Sequence, residues 1–161
     1  DPDQGGGRII GEGCHFVDFL TFLVGESPTA VTAFALPECG RYREDNVVMT
    51  LSFPAGSIGT ISYLANGDKS LPKERIEAFC AGRVAVLNDF RTLETISNGK
   101  RRTLRARLRQ DKGHRAEWEA FSNAILSGGP PPIPYEQLFS VTRATFAAVQ
   151  SLRNREKVGV S

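Results

Sequence analysis

Hydrophobic positions change their period along this chain. Ile9, Gly13, Phe16, Val17, Leu20, Leu23 and Val24 recur at three- and four-residue steps, the stripe of an amphipathic helix, and Gly25 follows where a helix stop belongs. Over residues 29–37 the period falls to two, with Val31, Ala33 and Ala35 opposed to Thr32, Phe34 and Leu36. Residues 38–44 are polar and read as loop. Residues 46–53 and 58–64 are rich in β-branched and aromatic side chains. They flank Pro54-Ala55-Gly56-Ser57, so the pair predicts a hairpin. Residues 65–72 are turn formers. Over 73–80, Ile76, Ala78 and Cys80 share one side, and Gly82-Arg83 turns the chain into a strand over 83–90. A short strand at 92–97 leads to Asn98-Gly99, a type I′ hairpin signal. Beyond it Thr103, Arg105, Arg107 and Arg109 oppose Leu104, Ala106 and Leu108, as in a half-buried strand with an arginine-rich outer face.

Helical spacing returns over 113–126, where Ala116 or Trp118, Phe121 and Ile125 recur. Ser127-Gly128-Gly129 ends that run. Pro130-Pro131-Pro132 and Pro134 make a stiff connector, with Pro134 suited to open the last helix. Leu138, Val141, Thr145, Val149 and Leu152 form that helix's buried stripe, and the polar tail over 153–161 is expected to fray.

A helix, about seven strands joined by hairpin-like turns, and two closing helices argue an α+β fold with a mainly antiparallel sheet. One sheet face packs on helices; the other is left for solvent or another subunit. At 161 residues the chain suffices for one domain with a core and is short for two. A formal net charge of +2 makes no strong demand for nucleic acid or an anionic membrane, and no apolar run approaches a bilayer span. Cys14, Cys39 and Cys80 are odd in number and widely spaced, which suggests neither a disulfide framework nor a zinc site and fits a reducing, cytoplasmic setting. The opening Asp1-Pro2-Asp3-Gln4 shows no signal-like pattern, and the chain reads as a domain from a longer protein.

Candidate chemistry lies on the second face of the first helix. Gly11, His15, Asp18 and Phe22 fall there together, with Phe19 beside them, where a solvated helix would carry lysines and glutamates. That composition predicts a helix covered on both faces: one by its own sheet, the other by something else. Gly11, one turn before His15, leaves space above the imidazole, and a glycine inside a helix costs about 1 kcal/mol relative to alanine. Asp18, three residues on, can hold the ring in a purely structural role or orient it for chemistry. Arg8 and Glu12 suit an i, i+4 ion pair. Gly5, Gly6 and Gly7 are either a flexible lead-in or a place where backbone approaches a ligand. Asn66, Asp68 and Lys69 are either turn residues or a loop that reaches a polyhydroxy substrate. The basic run from Lys100 to Arg115 lacks interleaved aromatics and favours a solvated sheet face over polyanion binding. His114 stands at a helix start, as a solvated residue would.

The pattern GGG-x-I-x-x-x-G-x-H-x-x-D at 5–18 resembles the opening of the C-terminal domain of the glucose–fructose oxidoreductase/inositol dehydrogenase (Gfo/Idh/MocA) family. Residues 66–91 and 114–153 resemble its middle and closing helices. His15 matches the family histidine and Asp18 its second aspartate, while Gly11 stands where the family has its first aspartate. Glu12 lies about 100° round a helix from that place. The resemblance implies an open-faced antiparallel sheet of six to eight strands whose outer face joins subunits. It also implies NAD(P)-dependent hydride transfer on a sugar, cyclitol or related polyol, with no metal. His15 would be the catalytic group. Asp18, Gly11, Glu12, Asn66 and Lys69 would lie on the substrate side, and Gly5, Gly6 and Gly7 near the cofactor. No strand precedes a G-x-G-x-x-G turn, so the nucleotide-binding domain is expected upstream and this piece alone is expected to be inert. A scaffold or oligomerisation domain without catalysis is the alternative that Gly11 favours.

Overall fold

The computed structural model describes residues 7–37, 46–106 and 110–160. In chain order these form a π-helical turn, Ile9–Gly13, running into helix α1, Cys14–Val24; strands β1, Ala30–Ala35, β2, Asn46–Ser52, β3, Ile58–Leu64, β4, Arg75–Cys80, β5, Arg83–Asn88, β6, Thr92–Ser97, and β7, Lys100–Arg105; helices α2, His114–Ser127, and α3, Tyr135–Asn154; and a short strand β8, Val158–Gly159. The class is α+β with antiparallel pairing throughout, as the sequence predicts. The strands are divided between two four-stranded sheets, ordered β3-β2-β1-β8 and β4-β5-β6-β7. The chain forms two compact units, Asp1–Asn66 with Pro130–Ser161, and Gly67–Gly129.

In the first unit, register explains burial. Val31 pairs with Leu51 and Leu51 with Gly59; Ala33 pairs with Met49 and Met49 with Ile61. Because strand side chains alternate, these rows share one face, and Val31, Ala33, Met49, Leu51, Gly59 and Ile61 are all buried. The π-helical turn and α1 together cover the face with Ile9, Gly13, Val17 and Thr21, a strict four-residue step. Leu23, assigned to that stripe from spacing, is 46% exposed, since it lies about 100° round the helix from Val24, which packs against the core. α3 contributes Val141, Ala144, Thr145, Ala147, Ala148 and Ser151. Leu138, predicted to open the α3 stripe, is 44% exposed, so the helix packs through small residues rather than large ones.

The tail beyond α3 does not fray. Arg155 caps the helix in the left-handed conformation, φ 58°, and its N–H reaches Ser151 O. The chain then turns back as β8 and pairs with β1, and Val160 N–H donates to Thr29 O at 2.9 Å. Buried Ser151 makes the link: its Oγ accepts Ala33 N–H at 2.9 Å and donates to Glu156 O.

The second unit is a four-strand meander with α2. Its hairpins turn through positive-φ pairs: Ala81 and Gly82 at 47° and 74°, Asp89 and Phe90 at 50° each, Asn98 and Gly99 at 50° and 69°. The last is the turn that Asn-Gly predicts. A phenylalanine at positive φ needs support from its surroundings. Gln110 Nε2 donates to Asp89 O at 2.7 Å, Ala106 N–H to Arg91 O at 2.8 Å, and Lys112 Nζ stands 5.6 Å from the Phe90 ring centroid. Burial departs from expectation here. β7 is exposed along its whole length, Leu104 included, so it is not the half-buried strand that alternation suggests; Arg107, Leu108 and Arg109 lie outside the described residues. α2 buries none of its residues, and Trp118, Phe121 and Ile125 are exposed.

Candidate functional site

α1 lies along β3 through one ridge of its surface. Glu12, Phe16 and Leu20 follow one another at four-residue steps, and Tyr63, Ile61 and Gly59 face them at two-residue steps down the strand. At one end Leu20 sits on Gly59, where an added Cβ would stand 2.6 Å from Leu20 Cδ1. A side chain at position 59 would have to push the Leu20 side chain aside. At the other end the Tyr63 ring meets Phe16 edge-on, with centroids 6.1 Å apart.

The Tyr63 hydroxyl closes a polar link there. It donates to Glu12 Oε2 and accepts from Arg8 Nη1 at 3.1 Å, while Arg8 Nη1 also reaches Glu12 Oε1 at 3.3 Å. The i, i+4 pair predicted between Arg8 and Glu12 is therefore present. Burial raises the Tyr63 phenol above its ordinary 10.0, and the hydrogen bond to Glu12 adds to that. At neutral pH the hydroxyl is a neutral donor.

His15 leaves α1 on the neighbouring face and is exposed, as are Gly11 and Phe22. The prediction that both helix faces are covered holds within this chain only for the sheet side. Asp18, half-buried, accepts from Gln137 Nε2 of α3 at 3.2 Å. Its hydrogen bond thus ties two helices rather than orienting the imidazole. Beyond it Thr21, Phe22, Gly25, Glu26, Ser27 and Gln137 line a shallow cleft of about 240 Å³.

Of the other predicted residues, Gly7 and Asn66 belong to the first unit and Lys69 to the second. Gly7 adopts φ 80° with nothing within 4 Å of a built Cβ, an open backbone; Gly5 and Gly6 fall outside the described residues. Asn66 is the last residue of the first unit, and its N–H donates at 3.0 Å to buried Asn46 Oδ1, which also accepts Ala65 N–H at 2.8 Å. Lys69 is exposed in the second unit. Asp68 belongs to a local turn, in which Ser70 N–H donates to its Oδ1 at 2.8 Å and holds the carboxyl below its usual 3.8. His114 is exposed beside Glu117, at 3.8 Å. Among the described residues no group of three or more His, Cys, Asp or Glu could hold a metal ion, and no helix is long and apolar enough to cross a membrane.

Tyr63 and Asn46 were not among the residues singled out from sequence. Tyr63 carried a signal, a polar group whose parity along β3 matches buried Gly59 and Ile61, whereas Asn46 has the parity of exposed Val48 and carried none.

The fold has close counterparts among solved structures. A levoglucosan dehydrogenase, in complex with NADH and levoglucosan, aligns with a TM-score of 0.81 at 19% identity over 98% of this chain and 52% of its own. The aldose–aldose oxidoreductase of Caulobacter crescentus, complexed with glycerol, aligns with a TM-score of 0.79 at 18% identity over 99% and 49%. An oxidoreductase domain protein from Kribbella flavida aligns with a TM-score of 0.77 at 18% identity over 100% and 53%. The chain thus spans about half the length of each, and at these identities the likeness is one of fold. No curated protein matches the chain. Residues 1–82 match the family defined as the GFO/IDH/MocA C-terminal domain.

Proposed function

Because this chain belongs to the GFO/IDH/MocA family, we propose that it is the substrate-binding C-terminal domain of an NAD(P)-dependent oxidoreductase acting on a sugar, cyclitol or related polyol. The observation that carries the proposal is an exposed histidine, His15, on a helix pinned to its sheet within the matched residues. An upstream nucleotide-binding domain holds most of the dinucleotide, and the chain alone is inactive. Gly7, with open space where a side chain would stand, fits the role of backbone lying close to the cofactor, with Gly5 and Gly6 leading into it. When bound, the nicotinamide supplies the hydride acceptor or donor.

This chain handles the proton. Oxidising a secondary alcohol removes a hydride and a proton. The His15 imidazole can accept that proton, or return it in the reverse direction. Gly11 leaves the approach to the ring free of side-chain bulk. Asp18, fixed by Gln137, and Glu12, fixed by Tyr63, offer carboxylates to substrate hydroxyls from either side along the helix. Asn66 and Lys69 supply further polar contacts. The outer face of the first sheet, with Phe34 66%, Ile58 73% and Leu64 56% exposed, pairs with a second copy of the protein.

The test is NAD(P)-dependent turnover of sugars and polyols by the full-length protein. His15→Ala is expected to lower kcat at least about a hundredfold, the usual scale of an acid–base group, with the melting temperature unchanged. An unchanged rate removes the proton role. A wild-type protein that binds no dinucleotide supports the scaffold alternative instead.

A further inference from the structure

The π-helical turn Ile9–Gly13 comes immediately before the helix that carries His15. Such turns are rare and are frequently found at functional sites. A turn of this kind needs something outside the helix to hold it. Here Tyr63 does so from the facing strand. Its hydroxyl takes both Arg8, just before the turn, and Glu12, within it. Its ring packs on Phe16, the residue after His15. Tyr63 therefore grips the helix on both sides of the histidine in sequence, three residues before it and one after.

We propose that Tyr63 is a positioning residue for His15, fixing the π-helical turn against β3 and so the direction in which the imidazole leaves the helix. The proposal rests on the proton role given to His15 above, and Tyr63 itself need not touch substrate. Two features of the site support it. The hydroxyl is engaged as donor and acceptor at once, leaving little capacity for a ligand. The phenol also stays protonated at neutral pH, so the link to the Glu12 carboxylate persists under working conditions.

The test combines Tyr63→Phe, His15→Ala and the double variant in the full-length protein. Tyr63→Phe keeps the ring contact with Phe16 and removes both hydrogen bonds. It is expected to lower kcat about tenfold, the pattern of a misplaced reacting group, and a rise in KM reports the loosened Glu12 carboxylate. In the His15→Ala background the same change is expected to alter kcat less than about twofold, because non-additivity marks residues acting through one another. A readout independent of turnover is the His15 ring resonance in the NMR spectrum, assigned by its loss in His15→Ala and expected to shift in Tyr63→Phe. An unmoved resonance overturns the proposal, as does an equal kcat loss in both backgrounds, which would mean that Tyr63 acts by itself. A shifted resonance with unimpaired His15→Ala turnover supports the positional link while removing the proton role.

Discussion

In the first unit β1, β2 and β3 turn Val31, Ala33, Val47, Met49, Leu51 and Ile61 inward and bury them, whereas in the second unit β4, β5 and β6 leave Ile76, Val84, Val86, Leu87 and Leu93 half-exposed. Both sheets have four antiparallel strands. The difference lies in the helices. α1 and α3 meet their sheet through small or missing side chains: Gly13 and Gly59 at α1, and Ala144, Ala147, Ala148 and Ser151 on α3. Backbones then approach closely and large strand residues fill the space between. α2 presents Trp118, Phe121, Ile125 and Leu126, and none of its residues is buried. Alternation tells which residues of a strand share a face. Whether that face is buried depends on what covers it.

The largest expected effect comes from one substitution made in each sheet. Leu51 is 0% exposed, and Leu51→Ala should cost about 2–5 kcal/mol, the range for a fully buried leucine. Leu87→Ala removes the same atoms from a half-exposed site and should cost about 1 kcal/mol or less, since little apolar area returns to water. Urea unfolding followed by far-UV circular dichroism compares them. Equal costs would show that the second sheet carries a core as tight as the first.

The strands and helices were legible because each depends on local pattern: the hairpin around Pro54–Ser57, the Asn98-Gly99 turn and the glycine stop at Gly25 need only neighbouring residues. What escaped depends on contacts far apart in the chain. Strand β8 follows a turn in which Ser151, a residue with no hydrophobic signal, joins Ala33 to Glu156. The turn at Asp89-Phe90 carries no glycine and is held by Gln110 and Lys112 from a later segment. At the candidate site the face bearing Gly11, His15 and Asp18 was legible from helical spacing. Its partners were not, because Tyr63 and Gln137 come from β3 and α3.

Ser151 gives the intermediate effect and sharpens the same contrast, since it ties sheet, helix and tail of the first unit together. Ser151→Ala leaves Ala33 N–H without its acceptor in a buried place and should cost about 1–3 kcal/mol. The loss should also free the tail, so that hydrogen exchange at Val160, whose N–H is paired with Thr29 O, quickens relative to the centre of β2. Protection at Val160 that survives the substitution would show that β8 pairs with β1 without the serine.

The smallest effect belongs to α2, and its smallness is the informative part. Leu126 is 85% exposed, so replacing it with glutamine removes almost no buried apolar area. Leu126→Gln in this chain should therefore change stability by less than about 0.5 kcal/mol, the range for surface substitutions. Glutamine is nearly as good a helix former as leucine, so propensity does not confound the comparison. Were Leu126 covered in solution, the same change would cost about 1.5–3 kcal/mol, the value of a buried leucine side chain. The two outcomes are far enough apart for a single urea titration to separate them. The larger value would place α2 among the core-forming helices and remove the distinction drawn between the two units.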